Sequence, residues 1–145
     1  MSGLTTLLSN EVIAVAADAE FRELVEAERA LIEALLSFDF PGSKELMAQL
    51  PGLLARRVDD DGSLVFRVRG SPSAKVRGGP VVEGSYPEDA LATETPVRVN
   101  VILHVKDGNL RMLEVYKDDS SPLTSPLDPR RLVLFSPLVG ERKTI

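Results

Sequence analysis

The strongest constraint on the fold is the stretch VRVNVILHVKDGNLRMLEVYKDD, residues 97–119, in which two runs of strand-forming residues flank Asp107-Gly108. In the first run, apolar residues alternate strictly with the others, which predicts a half-buried β-strand. Asp-Gly between two such runs is typical of a tight hairpin turn. The stretch therefore predicts a β-hairpin.

The second run of this hairpin departs from strict alternation. Leu110, Leu113 and Val115 cannot share one face of a strand whose period is two. One extra residue in a strand restores the pattern, so we expect a β-bulge near Arg111 and Met112.

Two helical segments are predicted before the strands. Residues 10–36 show apolar residues at helical spacing, most clearly from Glu23 onward, with charged residues opposite. Pro41-Gly42 ends this segment, and a short second helix follows before Pro51-Gly52. Residues 10–17 either continue the first helix or form a separate one, because Asp18 is suited to an N-cap.

Strand patterns dominate after Gly52. Residues 54–58 and 63–69 predict a first hairpin around an acidic turn, and a weaker third strand contains Gly78, Gly79 and Pro80. Helices followed by hairpins predict an α+β fold, with the N-terminal helices packed on one face of an antiparallel sheet of about 4–5 strands.

The chain length of 145 residues fits a single domain, residues 1–145. Within it we interpret residues 1–20 as an N-terminal helical extension, 21–122 as the core and 123–145 as a proline-punctuated C-terminal tail. The tail carries one apolar island at 132–135. We expect that island to add as a strand, to pack across the domain, or to form a homodimer contact through residues 131–138.

Composition excludes several kinds of site. The chain has no cysteine and one histidine, which excludes disulfides, thiolate chemistry and multi-histidine metal sites. A net charge of −5 disfavours nucleic acid as a partner. The first twenty residues do not resemble a secretion signal, and no apolar run approaches the ~20 residues of a membrane span. We expect a cytoplasmic protein that does not bind membranes.

Three segments carry a resemblance to a known family: ERALIEALLSFDFPGSKELMAQL, DDDGSLVFRV and VRVNVILHVKDGNLRMLEVYKDDSSP. They resemble a family of small uncharacterised bacterial proteins, a domain of unknown function, over roughly residues 26–122. The resemblance implies a fold but no catalytic residues. The last hairpin also resembles that of the cone-shaped fold typified by nuclear transport factor 2, which would imply a ligand pocket. The chain lacks that fold's long third helix and long strands.

His104 is the first candidate for chemistry. On the non-core face of a strand, a histidine is commonly a surface residue in a cross-strand pair. The alternative makes His104 a general base, oriented by Glu114, in a pocket lined by Tyr116. With a two-residue turn His104 would face Arg111, and a bulge would shift that pairing.

A second candidate is a basic surface. Arg67, Arg69 and Arg77 belong to a group of basic residues that is suited to an anion or an acidic partner. The alternative is a solvated hairpin face balanced by the acids at 59–61. The acids after residue 106 match no calcium-loop spacing, so we predict no metal site and no cofactor.

We therefore expect a non-enzymatic protein-interaction or accessory module, of immunity-like type as one possibility, with an unknown protein partner. The alternative is a small-molecule-binding protein or enzyme with a cone-shaped pocket that uses His104.

Overall fold

A computed structural model describes residues 21–70, 72–76, 78–88 and 96–144. It contains two α-helices, α1 (Glu26–Leu36) and α2 (Ser43–Met47). Short 3₁₀ turns lie at Leu50–Gly52 and Pro129–Arg131. The predicted helical extension over residues 1–20 lies outside the described residues.

The described residues form one antiparallel sheet of eight strands, in the order β1-β2-β3-β6-β5-β4-β7-β8. The strands are β1 (Arg22–Glu23), β2 (Leu54–Arg57), β3 (Leu64–Arg67), β4 (Gly79–Pro87), β5 (Arg98–Lys106), β6 (Asn109–Lys117), β7 (Val133–Ser136) and β8 (Glu141–Thr144). The α+β class is confirmed, but the expected 4–5 strands are too few.

The strands at both edges of the sheet, β1 and β8, were not predicted. Residues 22–23 were predicted as helix, yet they pair with β2, and α1 begins only at Glu26. Arg22 is held there because its guanidinium forms two hydrogen bonds with the Glu28 carboxylate, at 2.7 and 2.9 Å. Helices therefore do not precede every strand.

The central hairpin forms as predicted. Val99, Val101, Leu103 and Val105 on β5 are fully buried or nearly so. The pairing of β5 with β6 shifts between His104 and Val105, so Arg111 is the extra residue of a bulge. The predicted bulge is confirmed, and it places Leu110, Leu113 and Val115 together in the core.

The turn between β5 and β6 depends on Gly108. Its φ is +79°, a conformation that side chains other than glycine rarely adopt. A Cβ atom here would also collide with the carbonyl oxygen of Ala74. Glycine at position 108 is thus required by both the turn and the packing of the neighbouring loop.

The tail belongs to the sheet. β7 pairs with β4 on one side and β8 on the other, and Leu132 and Leu134 are buried in the main core. Gly84 on β4 makes room for these two leucines, since a Cβ atom there would lie 2.8 Å from Leu132 Cδ2. The prediction that the apolar island adds as a strand is confirmed.

The two faces of the sheet differ in environment. The side chains of one face, which we call the inner face, share a core with Leu31, Ile32 and Leu35 of α1 and Leu46 of α2. The other face, which we call the outer face, carries side chains that are partly or fully exposed. It includes Val65, Arg67, Glu83, Ser85, Arg98, Asn100, Ile102, His104, Lys106, Met112, Glu114, Tyr116, Val133, Phe135 and Arg142.

Candidate functional site

The three residues of the predicted catalytic alternative lie together on the outer face. His104 pairs across the strands with Met112, Ile102 with Glu114, and Asn100 with Tyr116. Because of the bulge, His104 therefore faces Met112 rather than Arg111. The His104 imidazole reaches diagonally to the Glu114 carboxylate, with 3.1 Å between Nε2 and Oε1.

This pair is open to water. The side chain of His104 is 28% exposed and that of Glu114 is 42% exposed. Sequence reasoning anticipated the contact between the two residues. The arrangement is a cross-strand surface pair, the commoner of the two interpretations, and it lies outside any enclosed cavity shown among the described residues.

An acidic half of the outer face surrounds Tyr116. Burial raises the pKa of the Tyr116 phenol, and the negative charges of Glu114, Asp118 and Glu83 raise it further. Asp118 also accepts a hydrogen bond of 2.7 Å from the Asn100 side chain. These three carboxylates, which we call the acidic half, act together on the Tyr116 phenol.

A basic half lies toward the β5–β6 turn. Lys106 and Arg111 are exposed there, at the end of β5 and in the bulge of β6. Arg67 on β3 stacks over the ring of Phe21, with 4.6 Å from its Cζ to the ring centroid. We call Arg67, Lys106 and Arg111 the basic half.

The predicted anion-binding residues Arg67 and Arg69 do not share one strand face. β3 ends at Arg67, so Arg69 lies beyond the strand, although both side chains are exposed. Arg77 lies outside the described residues. Binding of an anion by this set stays a prediction.

Four apolar side chains, which we call the apolar line, lie among these charges, and Ile102 stands in cross-strand register with Glu83 and Glu114. Val65, Met112, Ile102 and Phe135 lie on four different strands and are each partly exposed. Val65 pairs with Met112, and the Arg142 guanidinium covers the Phe135 ring at 5.4 Å. The outer face thus combines apolar side chains with charges of both signs.

The most buried ion pair lies elsewhere and was not predicted. Lys117 Nζ lies 2.5 Å from Glu88 Oε1, and the two side chains are only 8% and 6% exposed. Burial would raise the pKa of Glu88, but hydrogen bonds from Lys117 and Thr124 lower it overall. The hydrogen bond to Glu88 raises the pKa of Lys117, against the effect of burial.

This pair anchors the start of the tail. Lys117 Nζ donates to the Pro122 carbonyl at 3.3 Å, and Thr124 N–H donates to Glu88 Oε2 at 2.7 Å. Arg131 donates to the Glu88 carbonyl and stacks over Tyr86. We infer that the pair has a structural role, because all its partners fix the chain between β6 and β7.

Two buried polar side chains, Ser63 and Gln49, form hydrogen bonds with backbone groups of β6 and of the β5–β6 turn. Ser63 Oγ accepts a 2.9 Å hydrogen bond from Val115 N–H and donates to the Val115 carbonyl, which extends the pairing of β3 with β6. Gln49 accepts from Leu110 N–H and donates to the Gly108 carbonyl at the β5–β6 turn. Ser63 belongs to the DGS motif, which was the one sequence signal for this network.

A half-open cleft of about 400 Å³ lies between α1, the β2–β3 turn and the tail. Its floor includes Leu31 and Leu113, and its rim includes Arg57 and Asp61. None of the three predicted catalytic residues lines it. The cleft therefore does not supply the pocket that the catalytic alternative requires.

In the part of the chain that the structure describes, no three histidine or carboxylate side chains are grouped to hold a metal ion. No helix in these ranges is long and apolar enough to cross a bilayer.

Comparison with known proteins gives one informative result. No curated protein and no solved structure matches the chain. The likeness to the nuclear transport factor 2 fold stays a prediction. A family model described as a domain of unknown function, DUF6984, matches residues 21–126, a range slightly wider than the resemblance inferred from the three motifs. With most of its length matched, from β1 into the tail, the chain belongs to the DUF6984 family.

Proposed function

We propose that this protein is a non-enzymatic interaction or accessory module whose binding surface is the outer face of the sheet. The observation that carries the proposal is the position of the His104–Glu114 pair. The groups best suited to acid–base chemistry lie at the surface, next to exposed apolar side chains, rather than in a site that excludes water. Exclusion of water strengthens the electrostatic interactions on which catalysis draws, and this pair lacks that exclusion.

The composition of the outer face supports protein binding. Protein interfaces combine an apolar centre with polar and charged residues at the rim, and tyrosine, methionine and arginine are enriched in them. Here the apolar line provides a centre, and Tyr116 is 38% exposed beside it. Tyrosine at the centre of an interface often dominates its binding energy.

The proposal is tested by affinity capture from the native host with matched variants. We expect Ile102→Ala combined with Tyr116→Ala to lose the captured protein, as read by quantitative mass spectrometry. Val25→Ala is the control, because Val25 is an exposed apolar residue beside α1. Circular dichroism establishes that each variant folds. Equal capture by all variants would place the binding surface elsewhere.

The alternative function is a small-molecule-binding protein or enzyme that uses His104. The hydrogen bond between His104 and Glu114 favours it, since a carboxylate orients an imidazole for proton transfer. A thermal-shift screen against metabolites tests it, because a ligand at about 100 times its Kd adds about 2.7 kcal/mol of stability. A ligand whose effect disappears in His104→Gln would favour this alternative over the interaction module.

A further inference from the structure

We propose that residues 1–20 dock on the outer face of the sheet, over Val65 and Met112, with their acidic side chains toward the basic half. These residues lie outside the described part of the chain. The inference goes beyond the proposed function and does not depend on it, because it assigns part of the outer face to a segment of the same chain. The part around Ile102 and Tyr116 is left to the protein partner.

The segment is attached on the outer side of the sheet. Arg22 points to the inner side, where it bonds to Glu28 of α1, and neighbouring residues of an extended chain point to opposite sides. Phe21 therefore points to the outer side, and Arg67 of the outer face stacks over its ring at 4.6 Å. The segment that precedes Phe21 is thus joined to the sheet at the outer-face side of β1.

Two apolar side chains of the outer face lie within reach of this segment. Val65 on β3 pairs with Met112 on β6, and both side chains are partly exposed. With strands about 4.8 Å apart, β3 and β6 lie about 10 and 14 Å from β1. A helix rises about 1.5 Å per residue, which places Val15 about 9 Å and Val12 about 14 Å from Phe21.

The sequence of residues 1–20 has an apolar stripe at helical spacing. Residues three and four positions apart lie on one side of a helix. The stripe consists of Leu4, Leu8, Val12, Val15 and Ala19. Glu11 and Asp18 lie along one edge of this stripe in such a helix. We therefore expect a docked helix to present apolar side chains with an acidic margin.

One side of the apolar pair on the sheet is basic. The three cations of the basic half lie toward the β5–β6 turn, beyond Val65 on β3 and before Met112 on β6. The described residues around them contribute two acids, Glu23 and Asp107. Glu114 lies on the opposite side of Met112. Positive charge is therefore in excess on the side of the turn.

The segment carries the opposite charge. Residues 1–20 contain three acids, Glu11, Asp18 and Glu20, and no lysine or arginine. With the apolar stripe on the sheet, the margin formed by Glu11 and Asp18 can face the basic half. Complementary charges fix the register of a contact more than its affinity. We expect them to select one of the two directions in which the stripe can lie.

Cross-linking of paired cysteines in the full chain tests the docked position, because the chain has no cysteine of its own. Val12→Cys combined with Met112→Cys should react readily with a short bismaleimide, as read by peptide mass spectrometry. One control combines Ile13→Cys with Met112→Cys, since Ile13 lies off the apolar stripe. The other combines Val12→Cys with Glu33→Cys, on the exposed side of α1.

We expect the first pair to cross-link at least about tenfold faster than both controls. A tether alone would give all three pairs similar effective concentrations, on the order of millimolar. Val15→Cys with Val65→Cys provides a second predicted contact, should Met112→Cys fail to fold by circular dichroism. Glu11→Lys with Asp18→Lys, added to either predicted pair, should slow its cross-linking severalfold.

Equal rates for predicted and control pairs would overturn the docking. Fastest reaction at Glu33→Cys would also overturn it, because the segment would then lie on the helical side. An unchanged rate after charge reversal would overturn the orientation toward the basic half. The proposed function is tested separately, since docking that fails while Ile102→Ala with Tyr116→Ala still loses the captured protein leaves that function standing.

Discussion

Two acid–base pairs of this protein illustrate opposite uses of similar chemistry. Glu88 and Lys117 are more than nine-tenths buried and hold the start of the tail, whereas His104 and Glu114 lie exposed on the outer face. The sequence draws attention to the second pair because histidine occurs once. We expect burial, rather than the rarity of a residue type, to determine which pair matters more for the stability of the fold.

The largest expected effect comes from breaking the buried pair. Glu88→Gln leaves Lys117 without its counter-charge and weakens the acceptor of Thr124 N–H, so we expect the melting temperature to fall by roughly 5–10 °C. Differential scanning calorimetry measures this. Replacing both partners, as Glu88→Leu with Lys117→Met, should recover part of the loss. A double variant less stable than the single one would show that the pair itself contributes the stability.

The pH dependence of stability separates the two partners of the buried pair. The pKa of Glu88 is lowered from 4.5, so its stabilisation is present above that pH and is lost as pH falls through the lowered pKa. The pKa of Lys117 is raised from 10.5, so its stabilisation is present below that pH and is lost as pH rises through the raised pKa.

Melting temperatures of wild type and Glu88→Gln, measured across acid pH, therefore test whether the charge of the Glu88 carboxylate stabilises the fold. Their difference should shrink as pH falls, because protonated Glu88 no longer differs in charge from glutamine. A difference that stays constant down to the acid limit would mean that the carboxylate charge is not what Glu88 contributes.

A smaller effect is expected at Ser63. Ser63→Ala leaves the buried Val115 N–H without its acceptor and should cost about 1–3 kcal/mol, measured by urea unfolding. Ser85→Ala on the outer face is the control, and we expect a change within about 0.5 kcal/mol. Equal losses at the two serines would remove the distinction between the buried and exposed sides of the sheet.

The smallest effect is expected at the exposed pair. His104→Gln and Glu114→Gln should each change stability by less than about 1 kcal/mol, because polar pairs that are open to water contribute little. Urea unfolding at neutral pH measures both. A loss as large as that of Glu88→Gln would show that the outer-face pair holds the sheet together.

The elements that the sequence predicted are those with local signals. The alternation in β5, the Asp-Gly turn and the bulge in β6 each depend on residues within about ten positions of one another. β1 and β8 carry no such signal, because two residues at one edge and four exposed polar residues at the other become strands only through their neighbours. The strand count failed for this reason.

The same distinction, between contacts with a local sequence signal and contacts that depend on the fold, holds for the two acid–base pairs. The contact between His104 and Glu114 follows from hairpin geometry, and sequence reasoning anticipated it. Lys117 lies at the end of β6 and Glu88 directly follows β4, with no shared motif, so their pairing could not be predicted without the fold. Ser63 and Gly108, which both lie within the range of the family match, have structural roles in strand pairing and in the turn.

Carboxyl footprinting tests the central claim, that the outer face is the binding surface. In the protein alone, a carbodiimide and a neutral amine should label Glu114 and Glu33 readily and leave Glu88 protected, as read by mass spectrometry. When the partner binds, labelling of Glu114 should fall while that of Glu33 on α1 stays unchanged. If Glu114 remained fully reactive in the complex and Glu33 became protected, the partner would bind the helical side and the account would be contradicted.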